Sequence, residues 1–275
     1  MTSWAIASLA VIVSASQSAP AYEVFAARFG VIPSFQVSNL VAGADPSRRL
    51  DIPVMVWLLK GSNGRTVLVD SGFYRQALVD RWKVRDFRRP SDAVAAAGVE
   101  PAEVTDIIIT HAHWDHAGGV ELFPNATIWM QRDEYEYYTG EAWHARNTHG
   151  GIDPEDVLAL VRLNVSGRVR FVEGDDREII PGIRCYTGGR HTRASQYVAV
   201  RTAGGTAVLT SDNVYLYENL DKGAPIAQTW DPESNLKAQQ RIRSLASRPE
   251  LIVPGHDPAV FERFSPAGEG IVRIR

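Results

Sequence analysis

Four side chains that can bind metal ions fall within six consecutive residues, at the end of an apolar run. Three isoleucines at 107–109 predict a strand buried on both faces, and the sequence then continues through His111, His113, Asp115 and His116. Burying three imidazoles and a carboxylate at that point without partners would be costly. Metal coordination offsets this cost, because imidazole nitrogen and carboxylate oxygen suit zinc and other divalent first-row metals. The two glycines at 118–119 let the backbone turn sharply and approach its neighbours closely.

Three further candidate ligands occupy the same kind of position, a turn after an apolar strand. His191 follows a Gly-Gly-Arg turn, Asp212 follows the run 207–211, and His256 follows Val-Pro-Gly. Functional side chains often lie on loops at the ends of the strands of a rigid scaffold. These three residues are therefore candidates for the same site.

Short apolar runs separated by turn signals predict strands in both halves of the chain, with helices between them. Residues 52–60 and 66–70 flank a Gly-Ser-Asn-Gly turn and predict a hairpin, whereas residues 32–51 predict a long loop. Helices are expected over residues 91–98, with Ser91 or Asp92 as the cap, and over 154–163 and 234–247. The pattern predicts two packed sheets covered by helices, in one α/β domain over residues 22–275.

The spacing His-x-His-x-Asp-His, with a later His, Asp and His, resembles the signature of the metallo-β-lactamase superfamily. The resemblance covers the chain from about Tyr22 onward and implies an αββα sandwich. It also implies two divalent metal ions, zinc by default. The implied ligands of the first ion are His111, His113 and His191, and those of the second are Asp115, His116 and His256. Asp212 is implied as a bridge between the two ions.

Such a pair of ions implies a hydrolase. Two metals about 3.5–4 Å apart can share a hydroxide that attacks a carbonyl carbon while a metal polarises the carbonyl oxygen. Asp115 is expected to act mainly as a ligand, and also to steer the water or pass a proton to the leaving group.

One segment narrows the range of candidate substrates. Asp212-Asn-Val-Tyr215 is similar to the Asp-x-x-Tyr segment of N-acyl homoserine lactonases, in which the tyrosine hydroxyl lies beside the metals and helps hold the lactone carbonyl. Tyr215 is therefore a candidate catalytic residue, with a packed core tyrosine as the alternative. Residues 22–25, 70–72 and 189–196 also look like this branch.

The chain departs from the family pattern at Ala112, Trp114 and Arg190, which leaves the preferred lactone open. A β-lactamase or another ester or thioester hydrolase of the superfamily is an alternative. Nineteen residues after His256 are too few for the helical region of glyoxalase II-type enzymes. A non-catalytic metal-binding module is the alternative from another class.

Composition and the N-terminus bear on partners and compartment. The formal net charge of −3 argues against nucleic-acid binding. Residues 1–21 are interpreted as a signal peptide or an N-terminal extension, and their apolar run is too short to cross a membrane. Secretion or a periplasmic location is favoured over the cytoplasm, and the resemblance implies a homodimer.

The remaining candidates have weaker signals. Trp114 is interpreted as either a wall of the substrate pocket or a core residue, and residues 32–42 as packing or, alternatively, as the lining of an acyl pocket. His144 and His149 are expected to be solvated loop residues, with gating of the substrate as the alternative. Cys185 is expected to be a small buried hydrophobe outside the site.

Overall fold

The computed structural model describes residues 21–144 and 150–275. The expectations for His149 and for residues 1–20 lie outside these ranges. None of the helices in these ranges combines the length and the apolar character that a membrane span requires.

The described residues form thirteen β-strands in two sheets. In chain order the strands are β1 Tyr22–Gln36, β2 Arg49–Gly61, β3 Thr66–Val69, β4 Asp106–Ile108, β5 Thr127–Gln131, β6 Val169–Val172, β7 Arg177–Ile180, β8 Ile183–Thr187, β9 Gln196–Thr202, β10 Gly205–Ser211, β11 Ile252–Pro254, β12 Ser265–Gly268 and β13 Ile271–Ile274. The first sheet has the order β12-β13-β1-β2-β3-β4-β5-β6, and the second has the order β11-β10-β9-β8-β7.

The predicted hairpin is confirmed, because β2 and β3 pair in antiparallel fashion from Trp57–Val69 to Lys60–Thr66. The predicted loop over residues 32–51 is wrong at both ends, since β1 continues to Gln36 and β2 begins at Arg49. Pro33 is tolerated there because β1 loses its second partner: β13 pairs only with residues 24–27. The register between β1 and β2 also shifts between Ile32 and Phe35.

Eight α-helices lie in the described part of the chain. They are α1 Gln76–Trp82, α2 Pro90–Ala96, α3 Trp114–Ala117, α4 Arg132–Thr139, α5 Pro154–Val165, α6 Tyr217–Lys222, α7 Pro232–Leu245 and α8 Val260–Arg263. The predicted helices α2, α5 and α7 are confirmed within a few residues. The predicted cap of α2 is wrong, because Arg89 occupies the cap position without a side-chain bond and Pro90 starts the helix.

Hydrophobic burial arranges the elements in four layers. Alternation along β2 sends Trp57 into the core between the sheets, in one hydrophobic cluster with Leu209 and Val253, and sends Leu58 to the opposite face. The outer face of the second sheet packs on α7 through Ile242. The αββα sandwich is thus confirmed, with both sheets buried between helices.

Candidate metal centre

The histidine run begins where β4 ends in the middle of the first sheet. β4 pairs in parallel with β3 and β5, so the chain leaves the sheet between two strands that fix its direction. His111 and His113 lie in the connection after β4, and Asp115 and His116 lie in the short helix α3. Gly119 approaches so closely that a Cβ at this position would lie 2.1 Å from the carbonyl oxygen of Ser71. The expectation of a close backbone approach after His116 is met.

The second sheet supplies the remaining candidates. His191 follows β8, Asp212 follows β10, and His256 follows β11. Because β10 and β11 are neighbouring parallel strands, their carboxyl ends place Asp212 beside His256. All seven predicted ligands converge in two groups whose donor atoms lie within 4.8 Å of one another: His111, His113, His191 and Asp212 in the first group, and Asp115, His116 and His256 in the second.

The donor separations test whether these residues fit metal ions. A tetrahedral site with bonds of about 2.0–2.1 Å separates its ligand atoms by about 3.4 Å. In the first group, His113 Nδ1 lies 3.1 Å from His111 Nε2 and 2.9 Å from His191 Nε2. In the second group, Asp115 Oδ2 lies 3.5 Å from His116 Nε2 and 3.7 Å from His256 Nε2. Both groups therefore have separations that suit a divalent first-row metal.

Asp212 faces both groups at once. Its Oδ1 lies 3.2 Å from His116 Nε2 and 3.1 Å from His256 Nε2. Its Oδ2 lies 3.2 Å from His191 Nε2 and 3.6 Å from His111 Nε2. Each carboxylate oxygen is therefore aimed at a different group, which is the geometry that a bridging ligand requires.

Each histidine is held by one ring nitrogen and turns the other toward the centre. The anchoring contacts are His111 Nδ1 to Thr110 Oγ1 at 3.0 Å, His113 Nε2 to Gly150 O at 3.1 Å, His116 Nδ1 to Asp70 Oδ2 at 2.8 Å, His191 Nδ1 to Gln228 O at 2.6 Å and His256 Nδ1 to Pro53 O at 3.0 Å. Such partners fix the tautomer and orientation of ligand histidines. His116 Nε2 is buried without a hydrogen-bond partner, an arrangement that metal coordination would satisfy.

Burial and charge set the protonation of these groups. Burial, together with neighbouring His191, lowers the pKa of His113 to about 3, which leaves the neutral imidazole that metals bind. Burial also lowers the pKa of His116, but the negative charges around it have the larger effect. These charges, on Asp212, Asp115 and Asp70, hold the pKa of His116 well above its ordinary value.

Tyr215 lies at the edge of this centre. It is 4% exposed, and its hydroxyl lies 3.4 Å from His191 Nδ1. Burial and the nearby carboxylates of Asp212 and Asp115 raise its pKa well above the ordinary value, so it remains a neutral phenol that can donate a hydrogen bond.

A cavity of about 400 Å³ opens onto the centre beside Tyr215. Its polar lining residues are Arg81, His113, Asp115, Asp153, Asp212, Gln228 and His256, and apolar side chains make up most of the rest. These include Ile32, Phe35, Leu40, Ile52, Leu78, Trp82, Trp114 and Ile152. The volume lies within the range of small-molecule sites, and its mixture of apolar walls with a few polar groups is typical of them.

The weaker predictions have mixed outcomes. The structure supports both interpretations of Trp114, as a wall of the pocket and as a packed residue. Trp114 lines the cavity and also stacks on Trp82, with ring centroids 5.4 Å apart. Phe35 likewise both packs and lines the cavity, so the acyl-pocket alternative for residues 32–42 gains support. Cys185 is buried in β8 outside the site, as expected, and His144 is exposed.

Two buried carboxylates near the centre were not predicted. Asp70 follows β3 and contacts His116, and Glu134 lies in α4, a helix that the sequence interpretation missed. Asp70 carried the same signal as the ligands, an acidic residue at the end of an apolar strand. The signal for α4 was the spacing of Tyr135 and Tyr138, which are both buried on one face.

Comparisons with known proteins agree with this architecture. The family model of the metallo-beta-lactamase superfamily matches residues 50–256. An N-acyl homoserine lactonase of a Bacillus species is 30% identical over 235 residues, which cover 80% of this chain and 87% of the relative. N-acyl homoserine lactonase AttM of Rhizobium johnstonii is 28% identical, with 85% of this chain and 93% of the relative covered.

A solved structure gives the same result. An N-acyl homoserine lactone hydrolase, determined with the product N-hexanoyl-L-homoserine at its catalytic metal centre, is 25% identical to this chain. It superposes with a TM-score of 0.71 over 90% of this chain and 96% of its own. The chain therefore belongs to the metallo-beta-lactamase superfamily and is a hydrolase of its N-acyl homoserine lactonase branch.

Proposed function

We propose that this protein is a metal-dependent lactonase that opens the ring of N-acyl homoserine lactones or related lactones. The observation that carries the proposal is the single cavity in which Asp115, Asp212 and Tyr215 meet an extended apolar wall. A lactone with an acyl chain has the same division, with one polar reacting end and one apolar tail. The relatives that act on N-acyl homoserine lactones support the same substrate class.

The seven converging side chains are proposed as the ligands of two divalent ions, zinc by default. The first ion would bind the group that contains His113, the second would bind the group that contains His116, and Asp212 would serve both. Metals in such a site lower the pKa of bound water and polarise a carbonyl oxygen. The homodimer remains a prediction, and so does the absence of a nucleic-acid partner, which rests on the formal net charge of −3.

Tyr215 supplies a hydrogen-bond donor for the reaction. Its neutral hydroxyl is buried beside the ligand groups, so it can donate to the lactone carbonyl oxygen as negative charge develops there. Ring opening consumes one water: its oxygen bonds to the carbonyl carbon, the bond between that carbon and the ring oxygen breaks, and the products are a carboxylate and an alcohol. Asp115 lines the same cavity, where its carboxylate can accept a proton from the attacking water and pass it to the departing ring oxygen.

The apolar wall positions the acyl chain and excludes water. Trp82 and Trp114 form its aromatic part, with ring planes inclined by only 8°. Phe35 extends this surface, with its ring centroid 6.2 Å from that of Trp82. Apolar burial contributes about 25 cal/mol for each Å² removed from water, so longer acyl chains gain binding energy along this wall.

A panel of lactones tests the proposal. The metal-loaded protein should open N-decanoyl and N-hexanoyl homoserine lactones, and it should leave a chromogenic cephalosporin unchanged. Trp82→Ala should raise KM for the decanoyl substrate about five- to tenfold, since roughly 1 kcal/mol of contact is lost. The variant should change KM for γ-butyrolactone little, because that substrate has no acyl chain. Cephalosporin hydrolysis with no lactone opening would overturn the proposal.

A further inference from the structure

Glu134 is a buried carboxylate with no place in the chemistry described above. It is 1% exposed and lies at the third position of α4, directly after the end of β5. A buried carboxylate is costly unless its oxygens accept hydrogen bonds. The hydrogen-bond donors to its two oxygens therefore identify the segments that Glu134 holds in place.

Both oxygens accept hydrogen bonds from the backbone of ligand-bearing segments. The N–H of Ala112, between His111 and His113, donates to Oε1 at 3.0 Å. The N–H of Ala194, three residues after His191, donates to Oε2 at 2.6 Å. One carboxylate thus joins the two loops that supply all three histidines of the first metal group.

The second group is held by other partners. His116 is oriented by Asp70, and His256 is oriented by the carbonyl oxygen of Pro53. Neither contact involves Glu134. The two groups consequently have separate supports, although they share Asp212 as a ligand.

We propose that Glu134 is a positioning residue that sets the metal affinity of the first group, His111, His113, His191 and Asp212, and leaves that of the second group unaffected. It acts through the backbone of the two loops and touches neither metal nor substrate. The separation of 2.9 Å between His113 Nδ1 and His191 Nε2, which belong to different loops, is the distance that it maintains. The proposal concerns metal binding, so it does not depend on which lactone is hydrolysed.

A carboxylate suits this position better than an amide does. The two backbone N–H groups require two acceptors, and a glutamine offers one acceptor oxygen and one NH2 donor. In Glu134→Gln the NH2 group would face one of the two backbone N–H groups, so that hydrogen bond would be lost and one loop released. The volume of the side chain would change little. A second residue also links β9 to this segment, because the side-chain amide of Gln196 donates to the carbonyl of Ile109 and its backbone N–H donates to the carbonyl of Thr110.

The test separates the two groups by removing one ligand from each. A His256→Ala protein retains the first group, and a His191→Ala protein retains the second. Zinc affinity of the apoproteins is measured by competition with a chelator, in the absence of substrate. Glu134→Gln should weaken zinc about 10- to 100-fold in the His256→Ala protein, the usual effect of losing a partner that orients ligands. It should change affinity less than about threefold in the His191→Ala protein.

Controls distinguish positioning from general damage. Asp133→Asn alters an exposed carboxylate on the same helix and should affect neither affinity. Glu134→Asp retains both acceptor oxygens on a shorter side chain and should give a smaller loss, again only in the His256→Ala protein; it also serves if Glu134→Gln fails to fold. Equal losses in both proteins, or no loss in the His256→Ala protein, would overturn the proposal. The proposed lactonase activity could fail without affecting this result.

Discussion

The hydroxyl of Tyr215 offers the sharpest test of the catalytic proposal. Tyr215→Phe removes one oxygen atom from a buried ring and leaves every proposed metal ligand in place. His191 does not depend on this hydroxyl, because its Nδ1–H donates to the carbonyl oxygen of Gln228 at 2.6 Å, whereas the Tyr215 contact is 3.4 Å long. The variant should therefore retain its full metal content.

The expected loss follows from the environment of the hydroxyl. A hydrogen bond to a charged group contributes about 1.5–3 kcal/mol. Tyr215 is buried, so water cannot replace the lost donor efficiently. If the bond forms to the negative charge of the transition state, kcat and kcat/KM should both fall about 10- to 150-fold. If the hydroxyl only holds the substrate, KM should rise while kcat remains intact.

Tyr217→Phe provides a matched control. Tyr217 is also buried, but it does not line the cavity. The guanidinium carbon of Arg263 lies over its ring, 3.7 Å from the centroid of the Tyr217 ring. Steady-state kinetics on the best lactone, with metal content measured on the same samples, compares the two variants. A Tyr215→Phe protein with full metal and the kinetics of the Tyr217→Phe control would refute a catalytic role for Tyr215.

Three further predictions concern the metal centre and the core. Asp212→Ala removes the proposed bridging ligand, so bound metal and activity should fall together; elemental analysis that finds two ions per chain in this variant would contradict the bridging assignment. Gly119→Ala forces a Cβ against the carbonyl oxygen of Ser71 and should lower the free energy of unfolding by about 1–3 kcal/mol, as thermal or denaturant unfolding would show. Burial raises the pKa of the Cys185 thiol, so a thiol reagent should label the protein only after unfolding; rapid labelling of the native protein would contradict the buried position.

The sequence alone was sufficient for the fold class and for the seven candidate ligands. Ligand chemistry depends on residue type, and His111 to His116 follow an apolar strand so closely that local order places them at its end. His191, Asp212 and His256 follow strands in the same way. Because strands of a layered sheet end at common edges, these local positions already predicted a shared site.

The orientation of those ligands was decided only by tertiary structure. Residue type does not specify which ring nitrogen faces a metal; a distant partner does, as Pro53 does for His256 across 203 residues of chain. The same applies to Glu134, whose proposed positioning role depends on two loops that meet only after both sheets have packed.

The end of β1 could not be predicted from the sequence either. Pro33 and Ser34 are signals of a loop, and Ser34 does adopt a positive φ of 53°. The strand nevertheless continues past them, because β2 supplies a partner for Phe35 and Gln36 after the register shifts. The sequence determines which residues are chemically suited to the site and which lie at strand ends. Long-range pairing and burial decide where β1 ends and which way each imidazole points, since those choices depend on atoms far away in the chain.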